Sequence, residues 1–354
     1  MKKRLIALGL AAALCASVVT AWATGGSAGD PLISLSYLKN TYKPQMTQAL
    51  QNALYPATTA GRRSEAQITM DQQRYKQDDV IQASTGCEVI VLAGNVSASF
   101  SSGGVLVNAT DGTEIAAGKS LTPNARYVVG EDTLCALTIV SPTAVVSVNG
   151  AATLSVSTTP DYNAMAKALQ SLSLLKGTGS GYGEGFDLEL RPSRIEAMIL
   201  FIRLLGEEDA ALACTAKNPF SDVPAWADRY AAYAYQQGYS NGVGDGKFGT
   251  ALMISPQEYV EFILRALGYS STSHTDLSTT LNDARTAGVL TSGEYNSLRS
   301  TTLLRAHLVY ISYYALSTPM ASENSTLADQ LIRDSVFTAS AFDNAQKLVT
   351  TPRL

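Results

Sequence analysis

Histidine is nearly absent from this sequence, since only His274 and His307 occur among 354 residues. Most catalytic bases, triads and zinc sites draw on this residue, so its scarcity leaves few ways to build them. The few acidic residues between positions 80 and 157 show neither metal-ligand spacing nor the paired spacing of a glycosidase. We therefore expect no catalytic residue, no metal site and no cofactor.

Cysteine is also scarce, with four residues, of which Cys15 lies in the N-terminal apolar run. The remaining three form an odd set that cannot close a disulfide framework. Cys87 and Cys135 bracket one strand-rich segment and could form a disulfide in an oxidising exterior. Buried free thiols are an equal alternative.

No apolar run is as long as the roughly 20 residues that a membrane-spanning helix needs, and positive charge is not in excess. The N-terminus, residues 1–23, has the pattern of a signal peptide: basic residues at positions 2–4, an apolar run from Leu5 to Val19, and the small-x-small site Ala21-Trp22-Ala23. Cleavage there would move the formal net charge from −4 to −7. We expect export, no nucleic-acid partner and no transmembrane segment after cleavage.

What the chain does contain changes along its length. Residues 24–79 suggest a helix and a polar linker, and residues 80–157 give short β-type runs separated by Gly and Asn turns, which predict a small β-rich domain. Helical periodicity dominates residues 160–317. Residues 318–354 are expected to form a linker and a C-terminal helix.

An internal repeat organises the helical part. Ser193 precedes Glu196 by three positions, and Ser255 precedes Glu258 by the same spacing. This is the capping-box spacing, in which serine and glutamate satisfy backbone N–H groups at a helix start. Both helices then end in Leu-Gly at the same offset, so the two segments are copies of one unit.

The second copy also carries a recognisable set of motifs. Residues 218–268 contain Phe220-x-Asp222-Val223, then Trp226, then the turn Gly244-Asp245-Gly246-x-Phe248, before the capped helix. In this order the chain resembles the S-layer homology (SLH) family. Residues 160–206 keep the Ser-Arg-Ile-Glu helix start, and residues 274–317 form a third, degenerate copy.

The resemblance implies a fold class and a ligand. The expected architecture is multidomain, with a small all-β domain followed by an all-α pseudo-threefold SLH-repeat domain. The family's grooves bind acidic secondary cell-wall polysaccharide, often pyruvylated. Arg194, beside the N–H groups of its own helix start, is the foremost glycan-binding candidate, followed by Arg305, and Trp226 could stack on a sugar.

Several of these residues also have simpler structural interpretations. Glu196 and Glu258 fit helix caps better than ligands, and Asp222 is expected to cap the helix that begins near Ala225. Asp245 alone offers too few oxygens for calcium.

The copies also depart from the family pattern at their helix starts. Pro256 replaces the arginine of the second copy, and His307 replaces the glutamate of the third. Charge-based binding should therefore be weak or absent at the second copy and less secure at the third.

Three functions remain open from the sequence. The first is an exported protein held noncovalently on a bacterial cell wall through its polysaccharide, with the β-domain displayed or used in envelope assembly. The second is an envelope scaffold whose helical unit binds proteins or further copies of itself. The third is a wall-anchored hydrolase with its catalytic part in residues 80–157.

Overall fold

The structure is a computed structural model that describes residues 38–47, 71–177, 182, 185–269, 277–321 and 324–354. The chain separates into two units, Met1–Ile68 and Thr69–Leu354. In the first unit, residues 38–47 are helical, and the first five of them, Leu38–Tyr42, form a π-helical turn. The signal peptide and most of the expected N-terminal helix lie outside the described residues.

The second unit begins with a β-sandwich. One antiparallel sheet has the order β1-β10-β3-β8-β5-β6, and the other has the order β11-β2-β9-β4-β7. The strands are β1 Asp71–Lys76, β2 Val80–Ala83, β3 Glu88–Ala93, β4 Val96–Ser99, β5 Leu106–Asn108, β6 Thr113–Ile115, β7 Lys119–Ser120, β8 Arg126–Val129, β9 Cys135–Ile139, β10 Thr143–Asn149 and β11 Ala152–Ser155.

Alternating apolar side chains close this sandwich. In β3, Val89 and Val91 are buried, and in β9 every second residue points inward, namely Cys135, Leu137 and Ile139. This period-two burial is what a sheet with one covered face requires. By contrast, β11 lies at a sheet edge with its side chains exposed.

Strand β1 lies in the range expected to be a linker, and its sequence is polar. Its Arg74 pairs in register with Val145 of β10, and the guanidinium reaches away to Glu189 in the helical part. The Nε–Oε1 distance is 2.8 Å, and the two side chains are only 1% and 4% exposed. A buried ion pair therefore joins the sheets to the helices within one compact unit.

In the part of the chain that the structure describes, ten α-helices follow, with a short 3₁₀ turn at Ala225–Ala227. They are α1 Tyr162–Ser171, α2 Arg194–Leu204, α3 Glu208–Leu212, α4 Asp228–Gln236, α5 Pro256–Ala266, α6 Thr280–Thr286, α7 Ser292–Leu298, α8 Arg305–Leu316, α9 Leu327–Arg333 and α10 Ala339–Lys347. Among the described residues, no helix has both the length and the apolar character needed to span a bilayer.

Helices α2, α5 and α8 start close together because the segments before them bond to one another. The N–H of Arg194 donates to the Leu252 carbonyl, and the N–H of Arg305 donates to the Leu190 carbonyl. These bonds satisfy N–H groups that have no partner inside their own helices. They fix the positions of the side chains at the three helix starts.

The predicted fold class is wrong. Sheets do precede helices, but both belong to one compact unit, and the helices do not form a self-contained SLH-repeat domain of three copies. Helices α9 and α10 and the segment between them, outside the predicted repeats, complete the same core as α2 and α5 by burying Leu327, Leu331, Phe337 and Ala345. They can do so because each has its own N-cap, Thr326 or Thr338, and an apolar face.

Candidate functional site

A cavity of about 360 Å³ lies where the starts of α2 and α5 meet the loop after α4. Its lining mixes charged, polar and apolar side chains. The lining residues are Arg194, Ser240, Asn241, Gly242, Val243, Glu258, Glu261, Phe262, Arg265 and Leu277.

Arg194 is the central charged group of this cavity. The sequence makes it the foremost glycan-binding candidate, and in the structure the residue is only 7% exposed. Its guanidinium donates to Glu258 and to the Ser240 hydroxyl, and it lies 5.5 Å from the Phe248 ring centroid and 5.6 Å from that of Phe262. These aromatic faces stabilise the buried cation.

One nitrogen of the Arg194 guanidinium has no hydrogen-bond partner. This atom, Nε, is buried. Burial lowers the pKa of Arg194, and the neighbouring Glu258 carboxylate partly offsets that effect. An unpartnered buried donor is costly, and the residue that carries this one lines the cavity.

A second ion pair lies on the same cavity. The Nε of Arg265 donates to Glu261 at 2.9 Å, one turn earlier in α5, and its Nη1 donates to the Tyr239 carbonyl. Glu261 is almost fully buried. The cavity therefore contains two arginines and two glutamates, each arginine bound to one glutamate.

Asp222 shapes the cavity loop and does not cap the helix near Ala225, contrary to the sequence expectation. Its carboxylate accepts the backbone N–H groups of Phe248, Gly249 and Thr250 at 2.7–3.0 Å. Desolvation opposes ionisation, but these donors outweigh it and lower the pKa of Asp222 below its usual value. The Phe-x-Asp motif thus fixes the end of the Gly-Asp-Gly turn.

The turn itself is a tight hairpin from Val243 to Lys247. The N–H of Val243 donates to the Lys247 carbonyl, and the N–H of Lys247 donates to the Gly244 carbonyl. Gly244, Asp245 and Gly246 all have positive φ, as this reversal requires. Just before it, a Cβ on Gly242 would lie 2.6 Å from the buried Phe220 ring, so only glycine fits. The turn therefore positions the Asn241–Val243 wall of the cavity.

The capping residues connect neighbouring helices. Ser255 and Glu258 form a complete capping box on α5, and Glu196 accepts both the N–H and the hydroxyl of Ser193 on α2. Because Glu258 also binds Arg194, one carboxylate caps α5 and pairs with the start of α2.

Arg305 makes the corresponding contact at the start of α8. Its Nη1 lies 3.9 Å from Glu196, and its Nε donates to the Phe186 carbonyl. Burial lowers the pKa of Arg305, and the negative charges of Glu196 and Asp187 partly offset this effect. The structure places Arg305 beside α2 and outside the lining of the Arg194 cavity.

Trp226 does not line the cavity either. Its side chain is 63% exposed in the 3₁₀ turn before α4. An aromatic ring this exposed can stack on a sugar, but the geometry does not bring it to Arg194.

Cys87 and Cys135 are free thiols buried in the sandwich core. Burial, with a smaller contribution from Cys87, raises the pKa of Cys135 to about 11. Cys214 is a third free thiol and is partly exposed.

Sequence reasoning missed half of the charged groups in the cavity. Glu261 and Arg265 carry a detectable signal, since they stand four residues apart on one helix face. Ser240 and Asn241 carry none, because an isolated polar pair in a loop is typical of any turn.

The chain is 32% identical over 111 residues to a protein named "Cell surface protein" from Thermoanaerobacter kivui, a match that covers 30% of this chain and 14% of that protein's length. No protein-family model matches the chain. A structural comparison with procruciferin, an 11S globulin from Brassica napus, covers 24% of this chain and 21% of that one, at 12% identity and a TM-score of 0.17.

Proposed function

We propose that this is a non-enzymatic protein of a bacterial cell surface, retained there by noncovalent binding of an acidic secondary wall polysaccharide. The cavity between α2 and α5 is the proposed binding site. The β-sandwich would be displayed at the surface or used in assembly of the envelope.

The observation that carries this proposal is the polar cavity lined by Arg194, whose guanidinium makes protein hydrogen bonds through Nη1 and Nη2 and leaves its buried Nε without a partner. Each terminal nitrogen carries two N–H donors, so the guanidinium keeps donors for an acceptor bound in the cavity. The relative named "Cell surface protein" supports the location, and the motif resemblance at residues 218–268 supports a wall glycan.

Co-sedimentation with purified Gram-positive sacculi tests the proposal. The full chain should pellet with intact sacculi and remain in solution once the secondary polysaccharide has been extracted from them. Arg194→Ala should reduce the bound fraction about tenfold, because it removes charged donors from the site. Asn241→Ala, on the exposed rim, should reduce it less and keeps the test informative if Arg194→Ala unfolds.

Arg126→Ala is the matched control, because Arg126 is also ion-paired but lies on the sandwich with a half-exposed side chain. It should sediment like the unmodified protein. Equal sedimentation with extracted sacculi, or recovery of a protein partner without glycan, would overturn the proposal in favour of a scaffold.

A further inference from the structure

The charges of the cavity cancel in pairs. Arg194 is bound to Glu258, and Arg265 is bound to Glu261. The most exposed of these four side chains, that of Glu258, is only 23% exposed, so solvent screens the pairs weakly. Among the lining residues that the structure describes, the cavity therefore has polar atoms of both kinds but no net charge to attract an anion.

An acidic group would fit this cavity poorly. The two arginines would attract it and the two glutamates would repel it. It could replace Glu258 on Arg194 only by displacing a carboxylate that also accepts the Ser255 N–H, which would disrupt the cap of α5.

Uncharged hydroxyl groups match the available atoms better. A hydroxyl can donate to one group and accept from another. It can donate to Glu258 and at the same time accept from a terminal N–H of the Arg194 guanidinium, since both side chains line the cavity. Phe262 and Leu277 in the same lining offer apolar contact to the C–H face of a sugar ring.

We propose that this cavity binds an uncharged sugar unit through its hydroxyl groups and does not read the acidic group of the polysaccharide. The inference rests on the proposed function, because it names the part of the polymer that the same site takes. Glu258 is then a ligand acceptor as well as a cap, and the carboxylates of the polymer stay in solvent.

The test compares two forms of one polymer. Wall polysaccharide is released from sacculi, and half of it is carboxyl-reduced, so that each carboxylate becomes a primary alcohol. Calorimetric titration of the full chain should give affinities for the two forms within about twofold of each other. Glu258→Gln should weaken binding of both forms about tenfold, because a neutral amide replaces a charged acceptor.

Glu196→Gln is the matched control. Glu196 has the same capping position on α2 but does not line the cavity, so the change alters a cap without altering the site. It should leave both affinities unchanged within about twofold.

The opposite results separate the two proposals. Binding of the acidic form alone, or stronger binding of that form by Glu258→Gln, would overturn the uncharged-sugar assignment and leave the wall-binding proposal standing. An unchanged affinity in Glu258→Gln would place the sugar elsewhere and overturn it too. No binding of either form would overturn both proposals.

Discussion

Asp222 binds a loop that lies 26 residues further along the chain. Its carboxylate holds the Phe248–Thr250 backbone, which completes the turn beside the cavity. The sequence contains both motifs, but it does not say that one binds the other. An aspartate a few residues before a helix predicts an N-cap from local spacing alone, and a tertiary contact overrides that rule here.

Asp222→Asn should lower the free energy of unfolding by about 1–3 kcal/mol, because an amide cannot accept all of these N–H bonds and brings its own donors. Asp245→Asn is the control, since Asp245 lies at the exposed tip of the same turn, at φ 51°, where asparagine is well tolerated. Denaturant titration measures both changes.

The pH dependence sharpens this test. The folded-state pKa of Asp222 is lowered, so its contribution is present above the unfolded value and is lost as pH falls through the folded value. The difference between the unmodified protein and Asp222→Asn should therefore shrink at acid pH. A difference that stays constant down to acid pH would contradict the assigned role of the carboxylate.

His307 caps α8 in an unusual way. Its Nδ1 accepts the N–H of Leu304, the bond that a glutamate would make in a capping box, and its ring packs edge-on against Tyr162. The acceptor exists only in the neutral imidazole. Burial lowers the pKa of His307 to about 4.

Acidification should therefore destabilise the protein between the unfolded-state value of His307 and its folded value. In that window the unfolded chain binds the proton and the folded chain does not, so stability falls as pH decreases. The loss attributable to His307 should approach about 3 kcal/mol near pH 4. Denaturant titrations at pH 7 and pH 4.5 measure it.

His307→Gln provides the comparison, because glutamine can accept the same N–H at that position and does not titrate there. The variant should lose less stability on acidification than the unmodified protein. Identical pH profiles would show that the imidazole is not held neutral.

Among the elements, strand β1 is one that local sequence patterns do not predict. Strands β3 and β9 follow apolar alternation, and α5 follows its capping box, so local patterns predict them. Strand β1 has no such pattern. It forms because β10 offers it a partner and because Glu189, 115 positions away, neutralises Arg74.

Breaking this pair should affect the junction strongly. Arg74→Met should cost about 3–5 kcal/mol of unfolding free energy, because it leaves the buried Glu189 carboxylate unpaired. The double variant Arg74→Met/Glu189→Leu should cost clearly less than the sum of the two single changes. Denaturant titration of the three variants gives the coupling energy.

Arg126→Met is the control, since its pair with Glu88 is half exposed, and such pairs contribute about 0–1 kcal/mol. Additive effects of the Arg74 and Glu189 variants would show that the ion pair does not join the two parts.

At the scale of the whole molecule, the sequence predicts the order of sheets and helices but not that both belong to one compact unit. The three expected copies share helix starts, yet the third begins with Leu304 and His307 in place of a hydroxyl and a glutamate. Helix counts and caps are local features, whereas the assignment of α9 and α10 to the same core depends on long-range packing. The cavity is equally non-local, because its walls come from two helices and a loop.

The whole fold should hold without cross-links among its described cysteines. In native protein at pH 8, a thiol reagent such as dithionitrobenzoate should react rapidly with Cys214 but slowly with Cys87 and Cys135, because burial protects both and keeps Cys135 protonated. In guanidinium all three should react, and a reductant should not change the melting temperature. A lower melting temperature on reduction would indicate a Cys87–Cys135 disulfide.

The arginine–glutamate pairs at the helix starts imply a rule for covariation among related sequences. Each pair joins the first residue of one helix to the third residue of another: Arg194 to Glu258, and Arg305 to Glu196. The remaining first and third positions are Pro256 and His307, and both are uncharged at neutral pH. Both arginine side chains are largely buried, and a buried charge without its partner is strongly unfavourable, so paralogues and homologues that keep one of these arginines should also keep its glutamate.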